Sequence, residues 1–276
     1  MVLLDGKSVS KEIIENIKLK IEKLDKKIGF AVIWIGNDSA SSIYVNNKIK
    51  KCESIGINAE LYHLEETISE EYVLNLIDEL NNRDDIFGIL LQSPIPKHID
   101  INKCFNKISP LKDIDGFSKI SCGNLFLGSP TFISCTPKGI MKLFDYYKID
   151  LCGKNVCIIN RSNIVGKPLF HLLIEKDATV TMCHSKTKNL LEHTKRADII
   201  ISAVGRPNFI KEDMIKEGVV VIDVGISRVN GKVVGDVDFE KVSKKASFIT
   251  PVPGGVGPMT IAMVLENIVE GVENNG

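Results

Sequence analysis

Apolar positions in this chain follow two rhythms that alternate along most of its length. Over 8–24, Ile13, Ile14, Ile17, Ile21 and Leu24 recur at helical spacing. The run 30–35 is apolar throughout, as in a strand buried on both faces. A helix is predicted from about Ser39, a good N-cap type, to Ser54. Strand 58–64, helix 69–81 and strand 86–91 follow. Strands that alternate with helices imply a parallel sheet covered by helices, an α/β fold.

Residues 93–136 break this rhythm. They hold Pro94, Pro96, Pro110 and Pro130, several glycines and little periodicity. Long irregular stretches in compact proteins are functional or connecting, and this one reads as active-site loops followed by a link between domains. A helix over 138–147 opens the second half. Strands are predicted at 155–159, 178–183, 198–203, 219–224 and 247–250, and a final helix begins at Pro258, where a missing N–H costs nothing.

Composition narrows the function. The 276 residues suffice for one large domain or two ordinary ones. Lys+Arg and Asp+Glu both number 35, and no basic stripe of a nucleic-acid binder is visible. No apolar run reaches the roughly 18 residues of a membrane span. The opening M-V-L-L-D-G-K has no basic region followed by an apolar core, so no signal peptide is expected. Seven scattered cysteines without a C-x-x-C pair fit reduced thiols in the cytoplasm. Cys183-His184 lacks the paired spacing of a zinc site, and no metal is expected.

Candidate chemistry gathers at several places along the chain. Tyr44 and Lys48 are four residues apart on a predicted helix and project from one face. Gln92 ends an apolar strand, and Asp115 lies in the loop Lys112-Asp113-Ile114-Asp115-Gly116-Phe117. Strand 155–159 runs into Asn160-Arg161-Ser162-Asn163-Ile164-Val165-Gly166, with Pro168 just inside the next helix. A helix N-terminus in a strand–turn–helix unit can hold a phosphate group. The next strand ends in His184-Ser185-Lys186-Thr187. The carboxylate that usually bonds an NAD ribose is absent there, and the hydroxyl and cationic groups suit a 2′-phosphate. The loops Ser202-Ala203-Val204-Gly205-Arg206-Pro207 and Asp223-Val224-Gly225-Ile226-Ser227-Arg228 end strands on the same side, with Asp223 as either a ligand group or a turn cap. Last comes Pro251-Val252-Pro253-Gly254-Gly255-Val256-Gly257-Pro258-Met259-Thr260, whose glycines let backbone approach a flat ligand.

In this order, from about Tyr44 to Met263, the set resembles the bifunctional methylenetetrahydrofolate dehydrogenase/cyclohydrolase family. The resemblance implies an N-terminal αβα catalytic domain with a parallel sheet (1–137 plus 257–276). It implies a C-terminal Rossmann-type NADP-binding domain (138–256) and an active-site cleft between the two. It implies NADP-dependent oxidation of 5,10-methylenetetrahydrofolate and hydrolysis of the methenyl product to 10-formyltetrahydrofolate. Lys48 is then the proton-transfer group, Gln92 holds its amine, Asp115 accepts from the pterin N–H groups and Tyr44 offers a face to the flat rings. Pro253, Gly254 and Gly255 line the substrate site by their backbone. Asn160, Arg161, Ser162, Gly166, Ser185 and Ile226 serve the cofactor, with Arg161 and Ser185 on the 2′-phosphate. A homodimer is implied as well. The motif resembles Gly-x-Ser-x-x-x-Gly, but Asn160 stands in place of the first glycine. Asn tolerates positive φ better than other side chains, so the expected turn survives with Asn160 in that region. A family member with the dehydrogenase activity alone, or another two-domain NADP oxidoreductase sharing the second half, stays open from the residues themselves.

Overall fold

The computed structural model describes residues 1–24 and 26–274, with backbone alone at 39, 40 and 43. The chain runs through β1 (Val2–Leu3), α1 (Gly6–Ile21), β2 (Ile28–Ile35), α2 (Ser39–Glu53), β3 (Ile57–Leu64), α3 (Glu70–Asn81) and β4 (Ile86–Gln92). Next come α4 (Ile101–Lys107), α5 (Lys119–Phe126), α6 (Cys135–Tyr146), β5 (Asn155–Ile159), α7 (Gly166–Ile174), β6 (Thr179–Cys183), α8 (Leu190–Arg196) and β7 (Ile199–Ser202). The last are β8 (Val220–Asp223), β9 (Ser227–Val229), β10 (Lys232–Val234), α9 (Phe239–Val242), β11 (Phe248–Ile249) and α10 (Val256–Asn274). They form two compact units: Glu12–Ser134 with Val264–Gly276, the first unit, and Met1–Lys11 with Cys135–Met263, the second.

The first unit is built on a parallel sheet in the order β3-β2-β4. All eight residues of β2 are buried, as the unbroken apolar run requires of a central strand. Val73, Leu76, Ile77 and Leu80 form the buried stripe of α3 and complete that core with Ile33, Ile35, Ile89 and Leu91. Each such side chain contributes about 1.5–3 kcal/mol by leaving water. Ser69 caps α3 by accepting from Tyr72 N at 3.2 Å. The cap of α2 is Asp38 rather than Ser39; its extended backbone lets its carboxylate accept from Ser41 N at 2.7 Å.

Two elements interrupt the stretch expected to be irregular. α4 and α5 are capped by Asp100 and Ser118. They are seven and eight residues long, too short for a helical period to stand out.

The second unit carries a parallel sheet in the order β1-β11-β8-β7-β5-β6. From β5 the chain moves outward to β6 and then returns to the other side as β7. The crevice between β5 and β7 is therefore the topological switch point, where ligands bind in open α/β sheets. Buried Cys157, Ile159, Ile200, Val221 and Ile249 share one core with Val237 and Val242.

The unit boundaries differ from 1–137 plus 257–276. Val2 pairs with Phe248 and Leu3 with Ile249, which ties Met1–Lys11 to the second unit, while α10 divides after Met263. A two-residue strand carries no period, so its partner was not legible. α10 also starts at Val256, with Pro258 inside its first turn, where backbone N–H groups lack helical partners anyway. The β9–β10 hairpin, with three residues in each strand, is too short to show a period. Among the described residues no helix is long and apolar enough to cross a membrane.

Candidate active site

Lys48 and Gln92 meet in the first unit. A face of α2 and the carboxyl end of β4 bring them together, and Lys48 Nζ donates to Gln92 Oε1 at 3.2 Å. Gln92 Nε2 donates to Ser93 O at 2.7 Å. That second bond fixes the amide's orientation, because its NH₂ must face the carbonyl and its oxygen must face the amine. Ser41 of α2 reaches the same carbonyl at 3.4 Å. Tyr44 stands one turn before Lys48 with 42% of its surface exposed, leaving an aromatic face open.

Asp115 lies half-buried in the turn between α4 and α5. Neighbours of Asp115 in its own motif, with Asn267 of α10, hold this turn. Lys112 O accepts from Ile89 N of β4 at 2.8 Å, so the loop runs along the strand that ends in Gln92. The buried Lys112 ammonium donates to Leu80 O, Asn81 O and Arg83 O at 3.1, 2.7 and 2.6 Å, terminating α3. Burial lowers the pKa of this lysine. Asp113 accepts from Phe117 N at 3.2 Å, Ser118 N at 2.8 Å and Ser121 Oγ at 2.7 Å. Asn267 of α10 donates to Ile114 O at 2.6 Å and Ile133 O at 2.9 Å.

The second unit gathers its candidates at the carboxyl ends of its strands. Asn160 does not adopt the positive φ expected of it. Among the described residues, non-glycine positive φ falls at Lys148, Asp177, Asn189, Asn208 and Asn230. The side chain, not a left-handed backbone, shapes the turn. Its Oδ1 accepts from Ser162 N at 2.7 Å and Gly166 N at 3.0 Å, and its Nδ2 donates to Ala203 O at 2.6 Å. Gly166 must be glycine, since a Cβ there would overlap the Asn160 carbonyl. Ser162 Oγ accepts from Val165 N at 3.1 Å, and Arg161 is left exposed.

Beside this turn, β6 ends in a loop closed on itself. His184 N donates to Thr187 Oγ1 and Thr187 N to His184 O, both at 2.8 Å, which leaves Ser185 and Lys186 exposed. Because Ile159 pairs with Cys183, the Arg161 and Ser185 loops leave adjacent strands.

Two buried carboxylates hold the remaining loops. Asp236 accepts from Ser202 Oγ at 2.9 Å, Val204 N at 2.7 Å and Arg206 N at 2.8 Å. Asp223 accepts from Gly225 N, Asp236 N and Val237 N, each at 2.9 Å. Asp223 is thus the cap of a turn. Burial pushes its carboxyl up to about 6, and the charge of Asp236 adds to the rise against the pull of those three donors. Gly225 and Gly235 are the close approaches that make this possible, since a Cβ at either would overlap Asp236 or Asp223 respectively. Ile226 is 48% exposed on the loop so held. It borders a cavity of about 140 Å³ whose opposite wall is the Pro251–Pro258 loop. Pro253 is exposed there, Gly254 half-buried and Gly255 buried. Gly254 O accepts from Lys7 N at 2.9 Å.

This strand-end geometry fits a dinucleotide. The switch point, the close Gly166 packing and the hydroxyl and cationic groups after β6 are the features such a ligand needs. The family described as tetrahydrofolate dehydrogenase/cyclohydrolase, NAD(P)-binding domain, matches residues 134–276. The catalytic domain of the same description matches residues 4–115. The chain belongs to the tetrahydrofolate dehydrogenase/cyclohydrolase family. Other members of that family resemble it over nearly their whole length. "Bifunctional protein FolD" of Hydrogenobaculum sp. (strain Y04AAS1) is 53% identical over 272 residues, covering 98% of each chain. The crystal structure of the bifunctional FolD methylenetetrahydrofolate dehydrogenase/cyclohydrolase from Campylobacter jejuni matches with a TM-score of 0.97 at 50% identity, covering 99% of each chain. The Trypanosoma brucei enzyme, complexed with NADP cofactor and inhibitor, matches with a TM-score of 0.93 at 33% identity, over 99% of this chain and 98% of that one.

Proposed function

We propose that this tetrahydrofolate dehydrogenase/cyclohydrolase family member oxidises 5,10-methylenetetrahydrofolate with NADP and hydrolyses the methenyl product to 10-formyltetrahydrofolate. The observation that carries this reading is the Lys48–Gln92 hydrogen bond in the part matched by the family's catalytic domain. A pair so oriented presents an amine whose position is fixed by an amide that is itself fixed.

Tyr44 stacks on the flat rings of the folate, and Asp115 accepts hydrogen bonds from pterin N–H groups. NADP, when bound, supplies the acceptor for the two electrons and the proton removed from the methylene bridge. Asn160, Ser162 and Gly166 form the turn that receives its phosphates, and Ile226 lies against its nicotinamide end. Arg161 and Ser185 read the 2′-phosphate, which an acidic residue at the end of β6 would repel. In the second step water attacks the methenyl carbon. The Lys48 amine takes one water proton as the C–O bond forms and gives it to the ring nitrogen as the C–N bond breaks; the remaining hydroxyl proton leaves to solvent as the formyl C=O forms, while Gln92 keeps the amine in line. The family resemblance further supports a homodimer acting in the cytoplasm.

The test uses pure protein with methylenetetrahydrofolate and NADP, following NADPH and methenyl absorbance together. NADPH formation, with hydrolysis of methenyltetrahydrofolate supplied directly, is the expected result. NADPH formation without that hydrolysis would reduce the protein to a dehydrogenase. No NADPH, against turnover of a hydroxy acid, would overturn the reading.

A further inference from the structure

The crevice between β5 and β7 is where an open sheet of this order receives its ligand, and one side chain crosses its floor. Asn160 bonds its own turn through Oδ1 and the far wall, at Ala203 O, through Nδ2. Glycine at this point, as the family's motif has it, could do neither. The three bonds join the phosphate-binding turn, the first residue of α7 and the end of β7 into one piece. A second strap runs above it, from Ala203 N to Ile159 O at 3.3 Å. Asp236 fixes the next residue along, Val204, by its N–H at 2.7 Å. The turn and the loop facing it are therefore held in register before any ligand arrives.

We propose that Asn160 is a positioning residue for the dinucleotide, an amide strap that presets the crevice floor directly beneath the bound phosphates. The proposal rests on the NADP reading above and deepens it. A preset turn loses less conformational freedom when it binds, so the strap acts on affinity rather than on the chemical step. It also has a charge consequence. An aspartate here would keep both bonds at Oδ1, lose the one to Ala203 O, and set a negative charge under the phosphates.

The experiment is equilibrium titration with NADPH, read by its fluorescence, on the wild type, Asn160→Gly and Asn160→Asp. Thermal midpoints, kcat and the KM for NADP are measured on the same samples. Asn160→Gly should raise the dissociation constant and the KM for NADP roughly tenfold, the worth of about one hydrogen bond, with a much smaller change in kcat at saturation. Asn160→Asp should bind roughly a hundredfold more weakly than wild type, and its affinity should recover as the pH is lowered. A merely structural role predicts the reverse order, because the aspartate keeps two of the three bonds. Binding by Asn160→Gly as tight as wild type would overturn the proposal. So would Asn160→Asp binding no worse than Asn160→Gly, or without dependence on pH. A wild type that binds no NADPH would instead remove the cofactor reading itself, and the proposal with it.

Discussion

At α2 and β4 the proposed reactive groups are side chains, and regular structure alone brings them together. Lys48 rides a helix face, Gln92 ends a strand, and they meet at 3.2 Å. At the carboxyl ends of β5, β7 and β8 the candidate cofactor surface is made of loops. There, buried side chains do the holding: Asn160 under one turn, Asp236 under the next, Asp223 under the third. Helices and strands satisfy their own backbone, so they can spend side chains on chemistry. Loops cannot, and each buried N–H needs an acceptor brought from elsewhere. On the proposed reading, the first arrangement is damaged by changing the residue that acts, the second by changing one that holds a loop.

The largest effect on this contrast should come from Asp236→Ala. It strips the acceptor from Ser202 Oγ, Val204 N and Arg206 N in a buried setting, a loss of about 3 kcal/mol or more. Calorimetry should find the melting midpoint lowered by roughly 10 °C, with NADP binding lost. An unchanged midpoint would mean that the loops hold themselves. Asp115→Ala should raise the KM for the folate by up to about a hundredfold while leaving the KM for NADP near its original value. Equal loss of both would indicate misfolding. Arg161→Ala should narrow the ratio of kcat/KM for NADP over NAD by about tenfold. An unaltered ratio would assign the 2′-phosphate to another group.

The smallest predicted effect is in pH, and it differs between the regions. Asp223 is raised by burial from 3.8 to about 6, so between those values the folded form binds more protons than the unfolded. Stability from this group is full below about pH 4 and declines as pH rises to 6. Glu60 in the first unit has the opposite sign. The guanidinium of Arg83 holds its carboxyl below the ordinary value, so its stabilisation is full above that value and is lost only as pH falls below it. Hydrogen exchange compared between pH 4.5 and 6.5 should therefore reveal a pH-linked loss of protection, on the order of 1 kcal/mol, in β7 and β8 and none in β2 and β3. The same loss in both would contradict the assignment.

Much of the fold was legible because burial on both faces leaves unbroken apolar runs, as at β2, β5 and β8. The placement of the first half of the proposed site was legible for a related reason. Tyr44 and Lys48 lie four apart on a helix, and Gln92 closes a strand, so their placement follows from local periods. What escaped depends on distant partners. β1 has two residues and exists through β11; Asp236 matters through loops about thirty residues upstream of it. At Asn160, in place of a glycine, the sequence pattern points to a backbone role. Its amide does the work instead, because Ala203 and Gly166 come within reach only in the folded sheet.

The division of labour is tested most directly by Lys48→Met, with NADPH and methenyl absorbance followed in one cuvette. The account predicts continued NADPH formation, methenyl absorbance that accumulates, and ring opening slowed by at least about a hundredfold. Ring opening at the wild-type rate in that variant would contradict it.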